Sequence, residues 1–258
     1  MKASWVPREH GAWGMIGGAF LSVVAVHGRM SLPMILFLIG FLLLYFTRVP
    51  FQQLFRGKRV ASTVVPIGVF GGSGWLCIGW AALEAHFLSF PLYVTLLIPF
   101  FLVELLFIRW RRPNHFMPQL VGTIGLSGIA ALTDGLVHGT MTFHALFLWG
   151  VNALFFIAGI TIVRQQIAAR THYASGLWYL RALRWGTIVY VAIGGILVKN
   201  PSPLWQMTWW VLLPVMVEVA IFSTNRFFVT NLKTLGWLQI AQTLLFVGLL
   251  RGFALFFT

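Results

Sequence analysis

The sequence predicts an all-α integral membrane protein, a bundle of about nine transmembrane helices read as one domain over residues 1–258. The amino terminus lies in the cytoplasm and the carboxyl terminus outside. Three observations predict this. First, the composition is 59% hydrophobic and only 9% charged, with a mean hydropathy of +0.87, whereas soluble domains carry about a quarter charged residues. Second, the apolar residues fall into long runs separated by short polar stretches, and a run of about 17–25 residues spans a bilayer as a helix. Third, lysine and arginine concentrate in alternate stretches between the runs.

Taken in order, the runs are Gly11–His27, Leu32–Thr47, Val60–Leu83, Phe90–Trp110, Met117–His138, Thr142–Val163, Thr187–Val198, Leu204–Ser223 and Leu235–Phe257. The first is read as a retained span, because no small-residue cleavage site ends it. The seventh is short and starts earlier, near Leu180. Gly17–Gly18, Gly71–Gly72–Ser73–Gly74 and Gly194–Gly195 lie inside runs, where small residues let helices approach closely. Trp205, Trp209 and Trp210 fit an aromatic belt near the outer end of the eighth. No soluble domain fits between the runs. The single Cys77 forms no internal disulfide and says little about compartment.

Orientation follows from the cations. One set of stretches holds Lys2, Arg8, Arg48, Arg56, Lys58, Arg59, Arg109, Arg111, Arg112, Arg164, Arg170, Arg181, Arg184, Arg226 and Lys233, and the other holds Arg29, Lys199 and Arg251. The first set therefore marks the cytoplasmic side, which places the protein in the inner, cytoplasmic membrane. The same rule accounts for the net charge of +13 without nucleic acid, which is excluded as a partner.

Five stretches carry chemistry-bearing residues. Before the first span stands Pro7-Arg8-Glu9-His10-Gly11-Ala12-Trp13. It reads equally as a capped interfacial helix end or as a site wall in which His10 moves a proton. The stretch Arg48–Arg59 is read as a cytoplasmic loop. Its Arg48, Arg56, Lys58 and Arg59, with Gln52 and Gln53 between them, suit phosphate oxygens, because guanidinium and ammonium groups give charge-assisted hydrogen bonds. Arg109-Trp110-Arg111-Arg112-Pro113-Asn114-His115 is the third stretch, Arg164-Gln165-Gln166 to His172 the fourth, and Asn225-Arg226 to Lys233 the fifth.

Within the spans, ionisable residues are costly and face the bundle interior. Glu104 and Glu218 are of this kind. They are read as structural ion pairs, with Arg109 and Arg226 as partners, or as proton carriers. Asp134 is placed toward the outer face, apart from an inner site, and Asn152 lies in mid-span as a cavity-lining or helix-bridging amide. One cysteine and no close histidine pair on a helix give no zinc pattern. No paired carboxylates form a magnesium diphosphate site. No metal or cofactor is expected.

The whole pattern resembles the UbiA superfamily of intramembrane prenyltransferases. Arg111-Arg112 followed by Met117-Pro118-Gln119-Leu120-Val121-Gly122 is similar to the family's basic pair, Leu-Pro-Gln and glycine. Lys58-Arg59 resembles the basic pair trailing its first Asp-rich motif, and Ile160-Thr161-Ile162-Val163-Arg164-Gln165-Gln166 takes the place of the second. The resemblance implies a nine-helix bundle whose cytoplasm-facing site takes a prenyl diphosphate. The family's magnesium-binding aspartates are absent: those positions carry Arg48, Gln52, Gln53, Arg164, Gln165 and Gln166. Direct arginine contacts still neutralise a phosphate but lack a metal's Lewis-acid pull on the leaving group. The opening Pro7–Trp13 stretch looks like the signature of the YwiC-like membrane proteins.

The functional expectation is a membrane protein that binds a prenyl (di)phosphate or other anionic lipid, with metal-independent transfer. Its proton carriers would be His10, Glu104 and Glu218. Its headgroup ligands would be Arg8, Arg48, Gln52, Gln53, Arg56, Lys58, Arg59, Arg111, Arg112, Asn152, Arg164 and Gln165. The alternatives are a non-catalytic lipid or anion carrier, and an accessory subunit with a membrane-protein partner.

Overall fold

The computed structural model describes residues 10–55, 61–110, 116–170, 185–186, 203–222 and 232–257. Among them the chain is helical, with no strand. The helices are α1 (His10–His27), α2 (Leu32–Phe46), α3 (Arg48–Phe55), α4 (Ala61–Glu84), α5 (Phe90–Thr95), α6 (Ile98–Arg109), α7 (Phe116–His138), α8 (Phe143–Arg170), α9 (Pro203–Phe222) and α10 (Leu232–Phe257). Among the described residues, six helical stretches are long and apolar enough to cross a membrane: Leu32–Phe55, Thr63–Glu84, Phe90–Phe107, Phe116–His138, Phe143–Gln166 and Thr234–Phe256. The expected seventh run, Thr187–Val198, lies outside the described residues.

Two elements depart from the sequence expectation. The stretch after α2 does not leave the helical conformation at Arg48. The Thr47 hydroxyl bonds back to Leu44 O at 2.6 Å, and the helix resumes as α3. Pro50 sits in the first turn of α3, where a missing N–H removes no helical bond. The run Phe90–Trp110 is broken in two after Thr95. Pro99 supplies no N–H for the Thr95 carbonyl four residues back, and its ring crowds that carbonyl. Conversely, α8 continues past Val163 to Arg170, so Arg164-Gln165-Gln166 is helical.

The chain packs as two units. One comprises Met1–Val24 and Arg29–Gly150, the other Ala25–Gly28 and Val151–Thr258. In the first, α2 and α4 meet through glycines: a Cβ on Gly40 would lie 2.8 Å from Gly74 O, and one on Gly74 would lie 2.9 Å from Gly40 O. Missing side chains thus set how closely the two backbones approach. Helix α7 is the core of this unit and is buried on all sides from Ser127 to Leu136. Phe100 fills the space at Gly125, and Leu97 and Trp149 fill the space at Gly128. The Trp149 indole N–H donates to Ile124 O at 2.7 Å, since a buried indole needs an acceptor.

In the second unit α9 packs on α10. Phe155 of α8 stacks on Phe246 of α10 at 4.2 Å, and the Gln239 amide occupies the space left by Gly159. The last turn of α1 also belongs to this unit. Gly28 closes it at φ +66°, and the Arg251 guanidinium lies where a Cβ would stand. Arg251 also donates to Ala25 O at 3.2 Å. A cation at a helix carboxyl end satisfies carbonyls that the helix leaves open.

Candidate functional site

The first unit gathers one cluster of sequence-predicted residues. Arg48 opens α3 and Glu104 lies on α6. The Arg48 Nε donates to Glu104 Oε1 at 2.9 Å and to Oε2 at 3.1 Å, and its Nη2 forms an ion pair with Oε1. Nη1 donates to the Tyr45 hydroxyl on α2 at 2.9 Å. The Gln52 amide donates to Glu104 Oε1 at 3.2 Å. The two charged side chains are only 13% and 16% exposed. Tyr45 is held by Trp13 of α1, whose ring meets it edge-on at 5.4 Å. Phe51 of α3 meets Phe101 of α6 at 5.8 Å.

The sequence explains this arrangement. The apolar helices α1, α2 and α6 leave few polar atoms to satisfy a buried guanidinium, so the one acid on α6 becomes its counter-ion. Arg48, not Arg109, is therefore the cation paired with Glu104, and Arg109 is exposed. Gln53 is half-buried. His10 is the first residue of α1, and its side chain lies outside the description. Arg8, Arg56, Lys58, Arg59, Arg111 and Arg112 lie outside the described residues, as does Arg226.

The other predicted residues belong to the second unit. On α8, Asn152 is fully buried, Gln165 is buried and Arg164 is half-buried. Glu218 on α9 is buried, and neither of its oxygens has a hydrogen-bond partner among the described residues. A carboxyl group inside an apolar helix packing is a functional marker by default.

Sequence reading set Asp134 apart. The structure surrounds it with partners. Asp134 is fully buried near the end of α7. His144 Nδ1 lies 3.0 Å from its Oδ1. The Thr142 hydroxyl donates to Oδ2 at 3.3 Å, and His138 Nδ1 stands 3.4 Å from the same oxygen. His138 also bonds the Asp134 carbonyl at 3.0 Å. Thr142 accepts the Ala145 N–H at 3.0 Å and so caps α8. The signal was Asp134 and His138 one helical turn apart, followed by Gly139. Gly139 adopts φ +69° and turns the chain so that α8 brings His144 back. Tyr45 was likewise missed, because an aromatic residue in an apolar run reads as packing alone, and Trp13 was read only as the end of the Pro7–Trp13 stretch.

Long apolar helices crossing repeatedly, with charged side chains paired inside them, define a polytopic α-helical membrane protein. Its family is shown by the sequence match. The model of the YwiC-like protein family covers residues 6–134, half of the chain, and the protein belongs to that family. The matched half contains Trp13, Tyr45, Arg48, Gln52, Glu104 and Asp134. The chain is also 24% identical over 260 residues to the uncharacterized protein YwiC of Bacillus subtilis (strain 168), covering 97% of this chain and 98% of that one. No solved structure matches.

Proposed function

We propose that this protein binds an anionic lipid of the prenyl (di)phosphate class at the cytoplasmic end of a UbiA-like bundle, with metal-independent transfer as the activity of that site. The observation that carries the reading is the Arg48–Gln52–Glu104 cluster. It holds a guanidinium that is only 13% exposed among the helices around it. An unpaired guanidinium there is costly, but exchanging one anion for another is not. At an effective dielectric of about 20, unit charges 4 Å apart attract by about 4 kcal/mol, so an arriving phosphate replaces what Glu104 supplies. Glu104 then keeps Gln52 and becomes available to take a proton. The basic run 56–59 follows α3 directly in sequence, the run 109–112 begins with the last residue of α6, and both supply further cations.

The test is native mass spectrometry of protein purified in mild detergent, followed by lipid extraction. A retained prenyl phosphate or diphosphate is expected. The double variant Arg48→Gln with Glu104→Gln removes charge but keeps hydrogen bonding, and it should lose that lipid at least tenfold while staying folded. A preparation that carries no lipid and ignores added prenyl diphosphates overturns the reading.

We also propose nine spans in the cytoplasmic membrane, with the amino terminus inside and the carboxyl terminus outside, from the fifteen cations on one side against three on the other. A periplasm-active reporter fused after Thr258 is expected to be active. A fusion that is active only as a cytoplasmic reporter refutes the odd span number.

A further inference from the structure

We propose that Glu104 selects the headgroup: it admits lipids that end in a phosphate monoester or diphosphate and rejects phosphodiester lipids, which have no P–O–H group. The inference rests on the reading of the Arg48 cluster as the place where a lipid phosphate binds. It adds a specificity-determining residue to that site. It also narrows the ligand from anionic lipids in general to those with a terminal phosphate.

The geometry carries it. Arg48 Nε bonds both Glu104 oxygens, at 2.9 and 3.1 Å, and Nη2 pairs with Oε1. The carboxylate therefore covers the Nε–Nη2 edge of the guanidinium, an edge that a phosphate grips through two parallel bonds. Nη1 is turned to the Tyr45 hydroxyl at 2.9 Å. A phosphate that takes the covered edge must displace Glu104 from it. The displaced carboxylate does not go far. Phe51 lies one turn after Arg48 on α3, Phe101 one turn before Glu104 on α6, and their rings meet at 5.8 Å. Gln52 keeps a donor on Oε1 at 3.2 Å. Glu104 thus stays beside whatever anion binds Arg48.

Two anions held side by side away from water either share a proton or repel. A terminal phosphate brings that proton, since its last ionisation lies at about pH 6. Its P–O–H donates to a Glu104 oxygen or hands the proton over to it. In both cases one hydrogen bond joins phosphate and carboxylate, and no further reactant is needed. A phosphodiester carries one negative charge and no ionisable O–H. It sets two acceptors against each other with no donor between them, and a site built around a ligand O–H rejects an analogue without one strongly. The selection has a use in a membrane. Anionic phosphodiesters form the surface around such a site, and an arginine without Glu104 would bind them through charge alone.

The experiment titrates full-length protein in detergent with geranylgeranyl monophosphate and, separately, with its monomethyl phosphate ester, followed by tryptophan fluorescence. The ester keeps the tail and one negative charge but has no P–O–H. Wild-type protein is expected to bind the monophosphate about tenfold or more tighter than the ester. Glu104→Gln, whose amide donates to either headgroup, is expected to gain affinity for the ester and to shrink that ratio about fivefold. Wild-type protein that binds both ligands equally overturns the inference and leaves the lipid reading standing, whether or not the variant folds. A ratio that a folded Glu104→Gln variant leaves unchanged does the same. Wild-type protein that binds neither ligand overturns the lipid reading, and the inference with it.

Discussion

Replacing Glu104 by alanine should destabilise the protein by about 3–5 kcal/mol, the cost of leaving one half of a buried ion pair without the other. The Arg48 guanidinium is only 13% exposed. In the variant it keeps the Tyr45 hydroxyl, and Gln52 loses its acceptor. Glu104→Gln keeps an acceptor oxygen and should cost less. The double variant Arg48→Leu with Glu104→Leu removes both charges and should recover most of the loss, since paired ions and packed apolar side chains are often equivalent inside a protein. Thermal unfolding in detergent, followed by tryptophan fluorescence over all four members of the cycle, measures the coupling. Strictly additive losses would show that Arg48 and Glu104 do not stabilise each other.

Gly40→Ala should destabilise the first unit by about 1–3 kcal/mol. The added Cβ would meet Gly74 O at 2.8 Å, Ile78 Cγ1 at 2.9 Å and Cys77 Cβ at 3.0 Å. The first of these is backbone and cannot rotate away. Gly74→Ala is the reciprocal case, with Gly40 O at 2.9 Å and Leu44 as a more yielding neighbour, so its loss should be smaller. Gly79→Ala, one turn further along α4, meets nothing within 4 Å and serves as the control. Midpoints of heat-induced loss of the monodisperse chromatography peak should fall for Gly40→Ala and stay put for Gly79→Ala. Equal midpoints for both would mean that the α2–α4 approach is not set by these glycines.

The ends of α4, α7 and α9 were legible because the change from apolar to polar sequence is sharp there. The bends were not. Arg48–Phe55 mixes a cation, a proline and two amides, which reads as a loop when the helix it continues is not in view. Pro99 lies among apolar residues, so hydropathy runs through it although the hydrogen-bond ladder does not. The site was legible as a set of residue types but not as pairs. Glu104 had a nearby arginine in sequence, Arg109, and its partner lies 56 positions away. Proximity in a sequence says which charges exist near a membrane surface. Which of them meet depends on how helices pack, and in apolar runs almost every face is apolar. Asp134 was hidden for a related reason: its two imidazoles sit on either side of a turn, so no single helix face displays both.

The contact between Arg251 and the last turn of α1 also bears on the order of events during synthesis. The residues are 226 positions apart, and a ribosome adds about 5–20 residues each second. The first helix is therefore complete roughly ten to forty-five seconds before the side chain that closes its end exists. Through that interval the Ala25 carbonyl must be served by water or lipid headgroups. Truncation before α10 would leave it so permanently, giving a chain whose opening helix is threaded but never locked.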